Sequence, residues 1–139
     1  MIFWNSSRLD ISNIFVCINS FTQLYYITAR LAPMNTKSTS SWLTHVVAKT
    51  FAGIGVLDLL HNTSAAYFKN QSPTTAIKAL TGVGFGLGAA ASDWIFGGCL
   101  VYDLAILAIG QSSQDSGWSK LLGLYALGAG GIVAARNLR

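Results

Sequence analysis

GVGFGLGAAASDW, residues 82–94, is the stretch on which the fold turns. Four glycines alternate with apolar residues, three alanines follow, and an aspartate then interrupts the apolar run. Gly84, Gly86 and Ala89 match the G-x-G-x-x-A phosphate-loop fingerprint, with Asp103 further along. That fingerprint works only between a strand and a helix in a βαβ unit. The flanks show no alternating strand pattern and leave no room for a doubly wound sheet. The sequence therefore predicts no cofactor here.

A helix accounts for the stretch better. Residues four apart stack nearly in line on a helix. Gly82, Gly86 and Ala90 then form one row of small residues, and Gly84, Gly88 and Ser92 form a second. Such rows let helix backbones approach closely in a membrane, where lipid supplies no hydrophobic drive for association. Two rows predict a central helix packed on both sides. Gly123, Gly128, Gly130, Gly131 and Ala134 supply a matching set, so the two glycine-rich helices are expected to touch. On the same wheel Asp93 falls beside Gly82, which directs it toward a neighbouring helix.

The surroundings agree with a membrane. From Thr74 to Gly110 the only charges are Lys78, Asp93 and Asp103. One helix over that span would be about 55 Å long, well beyond a hydrocarbon core of about 30 Å. A break is expected near Asp93–Gly98, where Ser, Asp and a Gly-Gly pair coincide. It gives segments at about 74–93 and 94–110. Before them lie 42–68, with Trp42 and Tyr67 placed as interfacial aromatics, and 11–32. After them lies 118–136. In segment 11–32, Ile11, Ile14, Phe15, Ile18, Phe21 and Tyr25 occupy one face, while Ser12, Asn19, Gln23 and Arg30 occupy another. This amphipathic helix either turns its polar face into a bundle or lies in the interface. Pro33 ends it, Ser41 is the expected N-cap of the next helix, and Ser72 before Pro73 that of the one after.

Composition points the same way. Hydrophobic residues make up 52% of the chain and charged residues only 10%, where soluble domains carry about 25% charged. The nine Lys and Arg are scattered singly at the ends of apolar stretches, which is a membrane-flanking pattern and not a nucleic-acid stripe. Basic residues divide almost evenly between the two sides, so they set no orientation. Cys17 and Cys99 have no C-x-x-C partner and read as buried thiols.

Charges inside apolar segments are candidates for chemistry. Asp58 and His61 are spaced i, i+3 on one helix face. Asp93 and Asp103 would form an acid–base pair if their environments split their pKa values. With those four as catalytic candidates, an intramembrane acid–base enzyme of isomerase or cyclase type is one reading. A carrier or channel component with Asp93 and Asp103 along a polar path is another. Against both stands a role in which these groups fix helix register through hydrogen bonds. No metal site is expected, since His45 and His61 lie about 160° apart on one helix. Sequons occur at Asn5, Asn62 and Asn70. The expectation is an all-α integral membrane protein with four or five segments in a single domain. Its partners are the bilayer and other membrane helices, and its role is that of an accessory, assembly or scaffold subunit. A cavity reaching the aspartates would favour the enzyme or carrier; aspartates paired and closed off would favour the subunit.

Overall fold

The computed structural model describes residues 8–68 and 71–138, so Asn5, Asn70 and Arg139 lie outside the described residues. The described residues are all-helical: α1 (Leu9–Tyr25) with a π-helical turn (Tyr26–Arg30), α2 (Thr39–Tyr67), α3 (Thr75–Ala91), α4 (Trp94–Gln111) and α5 (Ser116–Asn137). α2, α4 and α5 are each long and apolar enough to cross a membrane, and α3 is a shorter apolar helix. The chain divides into two compact units, Met1–Asn70 and Gln71–Arg139.

In the first unit α1 and α2 form an antiparallel hairpin. Three cross-links run along it. Thr63 Oγ1 donates to Asn13 Oδ1 (3.1 Å), the buried Ser20 Oγ donates to the Gly55 carbonyl (2.7 Å), and His45 Nε2 meets the Ala32 carbonyl (2.9 Å). A carbonyl only accepts, so His45 carries its proton on Nε2. Gly55 is where the helices come closest: a Cβ there would lie 2.7 Å from Gln23 Oε1 and 3.5 Å from Ser20 Cα.

The hairpin is polar inside and apolar outside. Ser20 is 0% exposed, whereas its neighbour Phe21 is 62% exposed. Ile14, Phe15, Ile18 and Tyr25 of α1, and Val47, Phe51 and Ile54 of α2, also face outward. α1 packs on α2 through Asn13 and Ser20, whereas Asn19 and Arg30 of the polar face expected for segment 11–32 are exposed. In a water-soluble hairpin the pattern would be reversed.

Two caps differ from expectation. Ser38, not Ser41, caps α2, its Oγ accepting the Ser41 N–H (3.3 Å). Ser41 Oγ instead accepts the Asn35 N–H (3.0 Å) and ties the preceding loop to the helix. Thr74, not Ser72, caps α3, accepting the Ile77 N–H (3.3 Å). Pro73 thus stands just outside the cap, where extended backbone suits it.

In the second unit α3 and α4 both lean on α5. α4 and α5 run antiparallel, joined where Ser119 Oγ donates to the Ala108 carbonyl (2.7 Å) and where Gly97 meets Val133. α5 buries Trp118, Leu122, Ala126, Ala129 and Val133, a seam of helical period. α3 runs parallel to α5, since Tyr125 Oη donates to the Lys78 carbonyl (3.0 Å) and Arg136 donates to the Ala90 carbonyl further along both helices. Asn137 Nδ2 donates to the Ser92 carbonyl (3.3 Å). The last turn of α5 therefore satisfies carbonyls that α3 leaves open at its end.

Adjacent glycines of α4 face opposite surroundings. A Cβ on Gly97 would meet Ser92 Oγ at 2.5 Å and Val133 Cγ2 at 2.6 Å, while one on Gly98 would meet nothing within 4 Å. Gly97→Ala is expected to lower the thermal unfolding midpoint in detergent, at a cost of about 1–3 kcal/mol from overpacking. Gly98→Ala is expected to raise it, by roughly 0.5–1 kcal/mol from helix propensity. Equal shifts in the two variants would contradict this packing.

Asp115 caps α5, its Oδ1 accepting the Trp118 N–H at 2.9 Å. That bond holds the carboxyl below its usual value despite some desolvation, with a smaller contribution from the charge of Lys78. A depressed folded pKa means that the unfolded chain binds the proton first. The cap's stabilisation is therefore complete above the ordinary aspartate value of about 3.9 and is lost as pH falls through the lower folded value. Amide exchange at Trp118 should accelerate over that acid range in the native protein. It should not do so in Asp115→Asn, whose amide oxygen accepts the same bond without titrating.

Candidate functional site

The three aspartates and the histidine singled out as chemical candidates divide between the units. Asp58 and His61 lie in α2, and both side chains are exposed. The Asp58 carbonyl accepts Asn62 Nδ2 (2.8 Å), so the sequon asparagine at 62 is engaged with its own helix.

Asp93 does not sit on a glycine face. α3 ends at Ala91, Ser92 is extended, and Asp93 is the N-cap of α4, its Oδ1 accepting the Phe96 N–H (3.1 Å). A wheel drawn from Gly82 assumes an unbroken helix, and the break at Ser92 voids the angle it gives. The break itself falls at the start of the 93–98 window. Ser92 Oγ donates to the Ala89 carbonyl (2.9 Å), so one hydroxyl and one carboxylate close the end of α3 and open α4.

Asp103 is 3% exposed, midway along α4. It lies between the level of the Val101–Gly130 approach (3.9 Å) and that of the Ala108–Ser119 hydrogen bond. Asp93 and Asp103 are ten residues apart on one continuous stretch, a rise of about 15 Å. That separation is too great for both to act on one reacting atom. The Ser92–Asp93 turn and Asp103 thus hold different positions along the helix pair.

The small-residue rows meet their neighbours unevenly. In the first row, Gly82 lies under the Tyr125 ring, where a Cβ would be 2.7 Å from Cζ. Gly86 has open space and Ala90 is exposed. In the second row, Gly84 is open, Gly88 approaches Leu100 Cδ1 (3.0 Å) and Ser92 is buried. On α5, Gly130 faces Val101, whereas Gly123, Gly128 and Gly131 have no atom within 4 Å of a built Cβ. A cleft of about 130 Å³ opens between α3 and α5, lined by Gly82, Gly86, Leu124, Tyr125, Gly128 and Ile132. A larger groove of about 670 Å³ lies in the first unit, lined by Tyr26, Ser40, Leu43, Thr44, Val47 and Ala48. Neither is lined by Asp58, His61, Asp93 or Asp103.

Sequence reasoning missed the polar seam of the hairpin. Asn13, Ser20 and His45 are buried, and the signal was present in the seven-residue spacing of Asn13 and Ser20. Among the described residues no group of three His, Cys, Asp or Glu is placed to hold a metal ion. Comparison with known proteins gives no match, whether with family models, curated proteins or solved structures.

The two chemistries open to Asp93 separate by substitution. Asp93→Asn is expected to keep the thermal midpoint, because asparagine caps as well as aspartate. Asp93→Ala is expected to lose about 1 kcal/mol. Thermal melts of both variants in detergent check this, and a loss in the asparagine variant equal to that in alanine would mean that the charge, not the cap, matters.

Proposed function

We propose that this chain is a non-catalytic subunit of a membrane assembly, packed against helices of other chains. The observation that carries the reading is the open glycine surface. Gly84, Gly98, Gly123, Gly128 and Gly131 have nothing within 4 Å of a built Cβ, so the second unit does not use them for its own packing. A helix interior glycine costs about 0.5–1 kcal/mol relative to alanine. Several such positions kept bare on apolar helices suit a surface that receives other helices at short range.

Asp93 supports the same reading: its carboxylate is committed to a helix cap.

The test is purification in mild detergent with mass determination of what co-migrates, on the native chain and on Gly84→Leu and Gly131→Leu. The native chain should run in a complex of defined composition. At least one leucine variant should leave that complex while keeping its helical circular dichroism, because both sites have room for the side chain. Migration of the native chain as a monomer, or a complex that both variants leave intact, would overturn the reading.

A further inference from the structure

The groove of the first unit lies at the loop end of the α1–α2 hairpin. Its floor is the stripe Ser40, Leu43, Thr44, Val47 and Ala48 along α2, and Tyr26 of the π-helical turn forms its wall. The stripe spans nine residues, a rise of about 12 Å. It grades from hydroxyls near the start of α2 to purely aliphatic side chains deeper along it.

Three features bear on what fills it. Tyr25, Tyr26 and Trp42 are all exposed at this end of the hairpin, and such aromatic side chains collect at the level of lipid headgroups. Beyond them the surface of α2 continues as exposed Leu43, Val47, Phe51 and Ile54, which belongs at the depth of acyl chains. The charge is of one sign. No Asp or Glu occurs between Asp10 and Asp58, while Arg30 ends the π-helical turn and Lys37 directly precedes the cap of α2. Both cations are exposed. An occupant that suits this site is anionic at one end and apolar along the other.

We infer that the groove seats one anionic phospholipid. An acyl chain lies along Leu43, Val47 and Ala48 against Tyr26, and the phosphate lies at the Ser40 end within the field of Arg30 and Lys37. Each basic residue near an anionic lipid surface contributes roughly a fivefold preference. The inference needs the membrane setting but not the subunit reading, and it is measured on the mass of the single chain, so the two fail separately.

The experiment is native mass spectrometry of the full chain released from nanodiscs of equimolar dioleoylphosphatidylglycerol and dioleoylphosphatidylcholine. The native chain should retain phosphatidylglycerol over phosphatidylcholine at least fivefold. Arg30→Gln with Lys37→Gln should bring that ratio close to one, with circular dichroism unchanged, since both side chains are exposed. Ala48→Trp should remove most of both lipids by filling the floor. Should that variant misfold, the glutamine pair still decides. Equal retention of the two lipids by the native chain would overturn the inference, as would a preference that survives the glutamine pair. Displacement of the lipid by glycerol phosphate, which has no acyl chains, would also overturn it by reducing the site to a headgroup contact.

Discussion

A largely apolar exterior favours polar groups that bond across the helix pair, and three cross-links of the first unit answer that constraint. Water can satisfy a stray hydroxyl or carbonyl on a soluble helix, but hydrocarbon cannot. The outward faces of α1 and α2 are aromatic and aliphatic, so Asn13, Ser20 and His45 turn inward and bond Thr63, Gly55 and Ala32. The Ser20–Gly55 bond requires close backbones, and Gly55 permits the approach. Small residues and buried polar groups are therefore one device: the first brings the helices near enough for the second to bond across them.

In the second unit the same device works with fewer polar atoms. Glycine is used where a side chain of the neighbour must fit: Gly82 receives the Tyr125 ring, Gly88 receives Leu100 and Gly97 receives Val133. The tyrosine placed by Gly82 reaches a carbonyl of α3, and its ring also stands edge-on to Trp118 with centroids 6.4 Å apart. α5 is the helix that both others share. It reads as glycine-rich for the same reason as α3, and periodicity alone does not say which of the two stands between neighbours.

Much of the architecture was legible in the residues. The five segments follow from apolar runs separated by polar loops, and the break within 74–110 follows from length against bilayer thickness together with Ser92–Asp93. Caps were harder. The run Lys37-Ser-Thr-Ser-Ser offers four hydroxyl residues in a row, and the choice of Ser38 depends on where the loop from Pro33 turns, a tertiary matter. α1 was legible as amphipathic, but the polar pair that meets α2, Asn13 and Ser20, was not, because a wheel separates faces without saying which residues meet a neighbour. The small-residue rows share that limit: period four finds Gly84 and Gly88 together, yet one is open and the other packed.

The acidic residues show how composition encodes structure. The chain has five aspartates and no glutamate. Asp93 and Asp115 cap α4 and α5 through the Phe96 and Trp118 amides, and Asp10 stands in the first turn of α1. A short carboxylate reaches the amide two or three residues on, and a glutamate is one methylene too long to do so from the cap position. An excess of Asp over Glu in an apolar chain thus signals helix starts, where the positive end of the helix dipole also favours the charge. With those three assigned, Asp103 is the one aspartate inside a helix of the second unit. Asp103 is buried in α4, where a carboxylate can bond a neighbour and fix helix register, while Asp93, about 15 Å away along the chain, is committed to its cap.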